Sequence, residues 1–151
     1  MGKAILKLIE EDPGACLAAS YGRNSSDDLD DFIRKSSVII DFSTPQLMSA
    51  LLDGLNSNPR PLVSGTTAHN NFEKLNELST KTAVLWAPNM SIGSNLMIGF
   101  IESNLSHLSK FETYISEMHH KHKRDPLSGT ATLMQDILEK HNPGGKYRRT
   151  E

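Results

Sequence analysis

Between residues 15 and 87, short apolar runs rich in β-favouring residues alternate with longer stretches of helical period, which is the sequence form of repeated βαβ units. The runs at 15–20, 38–42, 61–64 and 82–86 predict strands. Between the second and third, Ser43 or Thr44 can cap a helix whose first turn holds Pro45 and whose apolar face is Leu47, Leu51, Leu52 and Leu55. Another helix is predicted over 71–79. Strands covered on both faces by such helices form a parallel sheet, and its ligands bind beyond the carboxyl ends of the strands. The expected class is therefore α/β, and those strand ends are where function is to be sought.

The pattern opens unusually. Residues 2–10 read as a helix with Ile5, Leu6, Leu8 and Ile9 in its core stripe, and no strand precedes it. Farther on, Ser91 can cap a long helix running to about Lys110, with Ile92, Leu96, Gly99 and Ser103 packing inward. Residues 111–118 alternate well enough to be a strand. Ser128 then caps a helix carrying Met134, Ile137, Leu138 and His141, which Pro143, Gly144 and Gly145 stop. Both ends of the chain read as cut rather than finished.

Composition narrows the classes. With 151 residues and 37% hydrophobic content the chain can bury one ordinary core, or one and part of another, which excludes a disordered tail. A net charge of -2 provides no global positive field for nucleic acid or an anionic membrane, so any anion must be held locally. Cys16 is the only cysteine, so no intramolecular disulfide can form and a reducing, cytoplasmic compartment fits best. No apolar run is long enough for a signal peptide or a bilayer span.

Chemistry concentrates in one segment. Glu117, Met118, His119, His120, Lys121, His122, Lys123, Arg124 and Asp125 lead into Pro126, Leu127, Ser128, Gly129 and Thr130. At the end of the predicted strand, imidazoles can deliver a proton near neutrality and Lys123 offers a cation to a carboxylate or an ammonium proton to a developing anion. Ser128, Gly129 and Thr130 open a helix, whose free N–H groups and positive dipole end accept an anion. A merely solvated basic loop competes with this reading. Zinc is disfavoured, because no cysteine and no spaced fourth ligand stands nearby, and a nucleic-acid patch would need more basic surface and interleaved aromatics.

Two further segments follow predicted strands. Ser64, Gly65, Thr66 and Thr67 combine a close backbone approach with hydroxyl donors, although strand-to-helix turns often hold glycine for steric reasons alone. Ala87, Pro88, Asn89 and Met90 precede the Ser91 cap, and their plain reading is a capped helix.

Together these segments resemble dihydrodipicolinate reductase. The family signature, E-x-H-H-x-x-K-x-D-x-P/L-S-G-T-A, is filled here by Glu117, His119, His120, Lys123, Asp125, Ser128, Gly129, Thr130 and Ala131. Asp41-Phe42-Ser43-Thr44-Pro45, Gly65-Thr66-Thr67 and Ala87-Pro88-Asn89-Met90-Ser91-Ile92-Gly93 resemble the family's other blocks, in the same order.

The resemblance implies a Rossmann-like dinucleotide-binding domain over 1–90, lacking its first strand, and a partial α+β substrate-binding and tetramerisation domain over 91–151. It implies hydride transfer from NADH or NADPH to a cyclic dicarboxylate, in lysine and diaminopimelate synthesis. His119 would then be the proton donor and Lys123 its cationic partner. His120, Gly129 and Thr130 would bind substrate carboxylates, while Gly65, Thr66, Thr67, Ala87, Pro88, Asn89 and Met90 would line the nicotinamide and its ribose. Arg23 would favour the extra phosphate of NADP. No metal is implied, and intact members are homotetramers.

The chain departs from the family pattern at both ends. Met1 and Gly2 match only the last two residues of the family's phosphate-binding G-x-x-G-R-M-G loop, and Arg148, Arg149 and Glu151 resemble the opening of a segment that leads into the substrate-domain sheet. A non-catalytic remnant and a different dehydrogenase of the same fold are the alternative readings.

Overall fold

A computed structural model describes residues 1–22, 25, 28–108, 110–118, 129–141 and 148–150. The chain divides into two compact units, Met1–Pro88 and Asn89–Glu151.

The first unit is an α/β layer built on a three-stranded parallel sheet. Its elements are α1 (Gly2–Glu11), α2 (Leu29–Lys35), β1 (Ile39–Asp41), α3 (Pro45–Ser57), β2 (Leu62–Ser64), α4 (Phe72–Ser79) and β3 (Val84–Trp86). Helices α2, α3 and α4 pack with Ile39 and Leu62 on one face of the sheet, while Ile40 and Leu85 on the other face are exposed. The strands lie in the order β1-β2-β3, with Ile39 opposite Leu62 and Leu62 opposite Val84. The same register sets Asp41, Ser64 and Trp86 side by side at the carboxyl edge. That row positions the site.

Local chemistry explains α3. The Thr44 hydroxyl accepts the Leu47 N–H at 3.3 Å, and Pro45 occupies the first turn, where its missing N–H costs nothing. Met48, Leu51, Leu52 and Leu55 then recur at helical spacing and are buried against Ile33, Ile39, Leu62, Leu75 and Leu78. Each such side chain contributes on the order of 1.5–3 kcal/mol by leaving water. Polar clips tie the rim. The Lys74 ammonium on α4 reaches Asp53 on α3 at 2.7 Å and the Ser49 hydroxyl at 3.0 Å, and the Arg60 guanidinium donates to the Ser36 carbonyl at 3.0 Å.

The second unit comprises α5 (Ile92–Ser103), α6 (Leu105–Leu108), β4 (Tyr114–Ser116), α7 (Gly129–His141) and β5 (Arg148–Thr150), with β4 and β5 paired in parallel. Ile98, Leu105, Met134, Ile137 and Leu138 form its core, with Ile101 and Ile115 packed against them. The Ser128 cap expected for α7 lies outside the described residues, as do Pro143, Gly144 and Gly145. Among the described residues no helix is long and apolar enough to cross a membrane.

Four expectations are corrected. Residues 15–20 form no strand and are largely exposed; among the described residues no strand lies beside them, and a strand exists only through its ladder. In α1 no residue is buried: Ile5, Leu6 and Ile9 are half-covered and Leu8 is exposed. The helix expected from Ser91 to Lys110 breaks at Asn104, where Ser103 and Asn104 side chains bond back to the carbonyls of Gly99 and Phe100 and compete with the helix ladder. Ile92 and Leu96, expected to face inward, are 79% and 70% exposed, and Ile98 is the buried residue instead. Because α5 carries Leu96, Met97, Ile98, Phe100 and Ile101 almost all round, its periodicity did not fix which face turns inward.

Leu52→Ala is expected to cost about 2–5 kcal/mol in urea unfolding, as for a fully buried leucine, whereas Leu96→Ala should change stability by no more than about 0.5 kcal/mol. Equal losses at the two positions would contradict this assignment of core and surface.

Candidate functional site

Three strand ends meet at the carboxyl edge of the first sheet. Asp41 closes β1, a polar residue at the end of an otherwise apolar strand, and it is buried. Its carboxylate is fully engaged. Oδ2 accepts the Ser64 hydroxyl at 2.7 Å and the Thr66 hydroxyl at 2.8 Å, and Oδ1 accepts the Ser43 N–H at 3.1 Å. The Ser43 N–H also reaches Thr66 Oγ1 at 2.9 Å, and the Thr66 N–H reaches Ser64 Oγ at 3.3 Å. A buried carboxylate is tolerated only when donors surround it. Here the donors come from the turns after β1 and β2, so satisfying the charge also fixes both turns.

The ladders continue past the strands: Gly65 N–H donates to the Asp41 carbonyl at 2.9 Å and Ala87 N–H to the Ser64 carbonyl at 3.1 Å. Gly65 suits its neighbour, because a Cβ there would overlap the Phe42 ring as it stands. From the third strand the Trp86 indole N–H donates to the Thr66 carbonyl at 2.8 Å. Ala68 follows with a φ of 57°, a left-handed conformation that favours glycine.

Beside this edge a groove of about 570 Å³ opens, with Gly2, Tyr21, Phe32, Phe42, Thr44 and Gln46 among its walls. The start of α3 borders it, so a helix N-terminus and aromatic walls face one cavity. Such a wall suits a flat aromatic ligand bearing an anionic group.

The residues singled out from sequence fall in both units. Gly65, Thr66, Thr67, Ala87 and Pro88 belong to the first unit, and its strand-end bonds bring Thr66 to Trp86 and Ala87 to Ser64. Asn89, Met90, Gly129 and Thr130 belong to the second. There the Asn89 amide donates to the Thr130 hydroxyl at 2.7 Å, while its oxygen accepts the Ser91 N–H at 2.9 Å. One asparagine thus joins the start of α5 to the start of α7. A Cβ at Gly129 would meet open space, so crowding does not dictate glycine there. Arg23, His119, His120 and Lys123 lie outside the described residues. Sequence reasoning missed Trp86 as a determinant of the site; Asp41 and Ser64 stood in segments it singled out, but the bond between them was not foreseen, though a carboxylate ending an apolar strand was a legible signal.

Two variants probe this edge. Asp41→Asn replaces an acceptor oxygen with a donor among three donors, and a loss of about 1–3 kcal/mol is expected; an unchanged urea midpoint would mean that the network contributes nothing. Ala68→Gly should be neutral to stabilising by up to about 1 kcal/mol, while Ala68→Val should destabilise by about 1 kcal/mol or more. Indifference to valine in thermal melts would argue against left-handed strain.

A family model described as dihydrodipicolinate reductase, N-terminus, matches residues 1–90, and one described as dihydrodipicolinate reductase, C-terminus, matches residues 93–151. Similar proteins include the 4-hydroxy-tetrahydrodipicolinate reductase of Nitratiruptor sp., 40% identical over 93% of this chain and 60% of its own length. The reductase of that name from Rickettsia rickettsii is 36% identical over 91% of this chain and 59% of its own, and that of Wolinella succinogenes is 34% identical over 93% and 60%. The chain spans about 60% of the length of these curated relatives. Matched in both its halves, the chain belongs to the dihydrodipicolinate reductase family.

Proposed function

We propose that this chain carries the nucleotide-binding half, and the opening of the substrate-binding half, of an NAD(P)H-dependent reduction of 4-hydroxy-tetrahydrodipicolinate to tetrahydrodipicolinate, in which the 4-hydroxyl leaves as water, in lysine and diaminopimelate synthesis. The observation that carries the reading is the match of residues 1–90 and 93–151 to the two parts of one reductase. The first unit supports it physically. Its strand-end edge offers a groove, a helix start and a turn fixed by Asp41, which fit a dinucleotide. When bound, the dinucleotide supplies the hydride.

The chain's own residues orient and charge the site. Gly65, Thr66, Thr67, Ala87 and Pro88 present backbone and hydroxyl groups to the nicotinamide and its ribose, joined by Asn89 and Met90. Arg23 meets the extra phosphate of NADPH. Gly129 and Thr130, with His120, hold the substrate carboxylates, and Asn89 fixes the Thr130 hydroxyl through its hydrogen bond. His119 delivers the proton that accompanies the hydride, and the Lys123 ammonium offsets the charge that develops. The intact enzyme works in the cytoplasm as a homotetramer, and this chain divides at about residue 90 into its two functional domains.

A second reading, a non-catalytic folded remnant without cofactor affinity, is favoured by the exposed apolar side chains Ile40 and Leu85 on the sheet. Calorimetric titration separates the two readings. NADPH and NADH should bind the chain, and dipicolinate should bind in the presence of cofactor; if neither cofactor binds at millimolar concentration, the dinucleotide assignment is wrong. If turnover is measurable, Lys123→Ala should lower it about a hundredfold or more while leaving cofactor affinity unchanged, and an unaltered rate removes Lys123 from the chemistry.

A further inference from the structure

Beyond the turn at Gly65, Thr66 and Thr67 lies a group of side chains that no step of the proposed reaction uses. His69 is 8% exposed. Its ring stands 5.2 Å from the Trp86 ring at 77° and 5.3 Å from the Phe72 ring at 44°, and Phe72 and Trp86 meet at 5.4 Å and 85°. The three rings form one closed cluster. The Trp86 indole N–H emerges from it to bond the Thr66 carbonyl at 2.8 Å.

His69 sits there at a cost. Its Nδ1 accepts the Asn71 N–H at 3.2 Å, which leaves Nε2 as the ring's donor. Among the described residues nothing accepts from Nε2, which is buried. An unanswered buried donor is destabilising. Ala68, immediately before, holds a left-handed backbone. The left-handed backbone at Ala68, directly beside the ring cluster and the turn, is the kind of local strain that collects at ligand-binding turns.

We propose that His69 is a positioning residue for the cofactor turn. Its ring braces Trp86 so that the indole stays bonded to the Thr66 carbonyl, and the backbone facing the nicotinamide is fixed before the dinucleotide arrives. A preset turn loses less freedom on binding, and affinity rises accordingly. The inference rests on the reading of Gly65, Thr66 and Thr67 as the nicotinamide-facing turn.

Trp86 is the only tryptophan of the chain. Its indole N–H therefore gives a single peak in a nitrogen–proton correlation spectrum, and solvent exchange of that peak reads the bond to Thr66 directly. NADPH affinity is measured in parallel on the full chain. In His69→Ala the indole should lose exchange protection and the Kd for NADPH should rise about tenfold, the size of one lost hydrogen bond. His69→Phe, which keeps a ring beside Trp86, should restore both. Retained protection and unchanged affinity in His69→Ala overturn the proposal, as does failure of phenylalanine to restore the indole signature. If the alanine variant does not fold, His69→Leu fills the volume without a ring and is held to the same outcomes. If the unsubstituted chain binds no NADPH, the dinucleotide reading fails by itself, and the exchange of the indole peak still decides whether His69 braces Trp86.

Discussion

The first unit turns on a buried carboxylate. Asp41 ends an apolar strand, where a charge has no water to solvate it, and hydroxyls from Ser64 and Thr66 with the Ser43 N–H take the place of that water. None of these donors is sequence-adjacent to another across the strands; they come together because the parallel register sets Asp41 opposite Ser64. Strand pairing, side-chain burial and the shape of two turns are therefore one problem with one solution. A slip of register by a single residue would strand the charge, so the carboxylate also specifies the pairing.

The Trp86 indole closes the same turn from the other side. Asp41 holds Thr66 through its hydroxyl and Trp86 holds it through its carbonyl, so the residue is fixed at both its side chain and its backbone. In the second unit Asn89 has a comparable office: its amide and its carbonyl oxygen each have a partner, and the two partners lie at the starts of different helices. Both units thus spend short polar side chains on fixing helix and strand ends, where backbone groups are otherwise free to move.

What could be read from the sequence followed from local rules. The apolar runs that became β1, β2 and β3, and the Thr44-Pro45 start of α3, carry their signals within a few residues. The reading failed where the outcome depends on a distant partner. Residues 15–20 have the composition of a strand, yet composition cannot supply a neighbour to pair with. Helix α5 is apolar on most sides, so only its contacts with Leu105 and Met134 show that Ile98 turns inward. For the candidate site, glycine and threonine at a strand end were legible. The part played by Trp86 was not, because an indole in a strand reads first as core.

The close approach of Phe42 to Gly65 has an evolutionary corollary. Any side chain at position 65 collides with the ring as it stands, while losing the ring alone opens a void beside the turn. Neither position is free to drift while the other stays the same, since substitutions in contact do not act additively. Lineages in which residue 65 gains even a methyl group should be those in which residue 42 has changed as well, so the two positions are expected to vary as a pair.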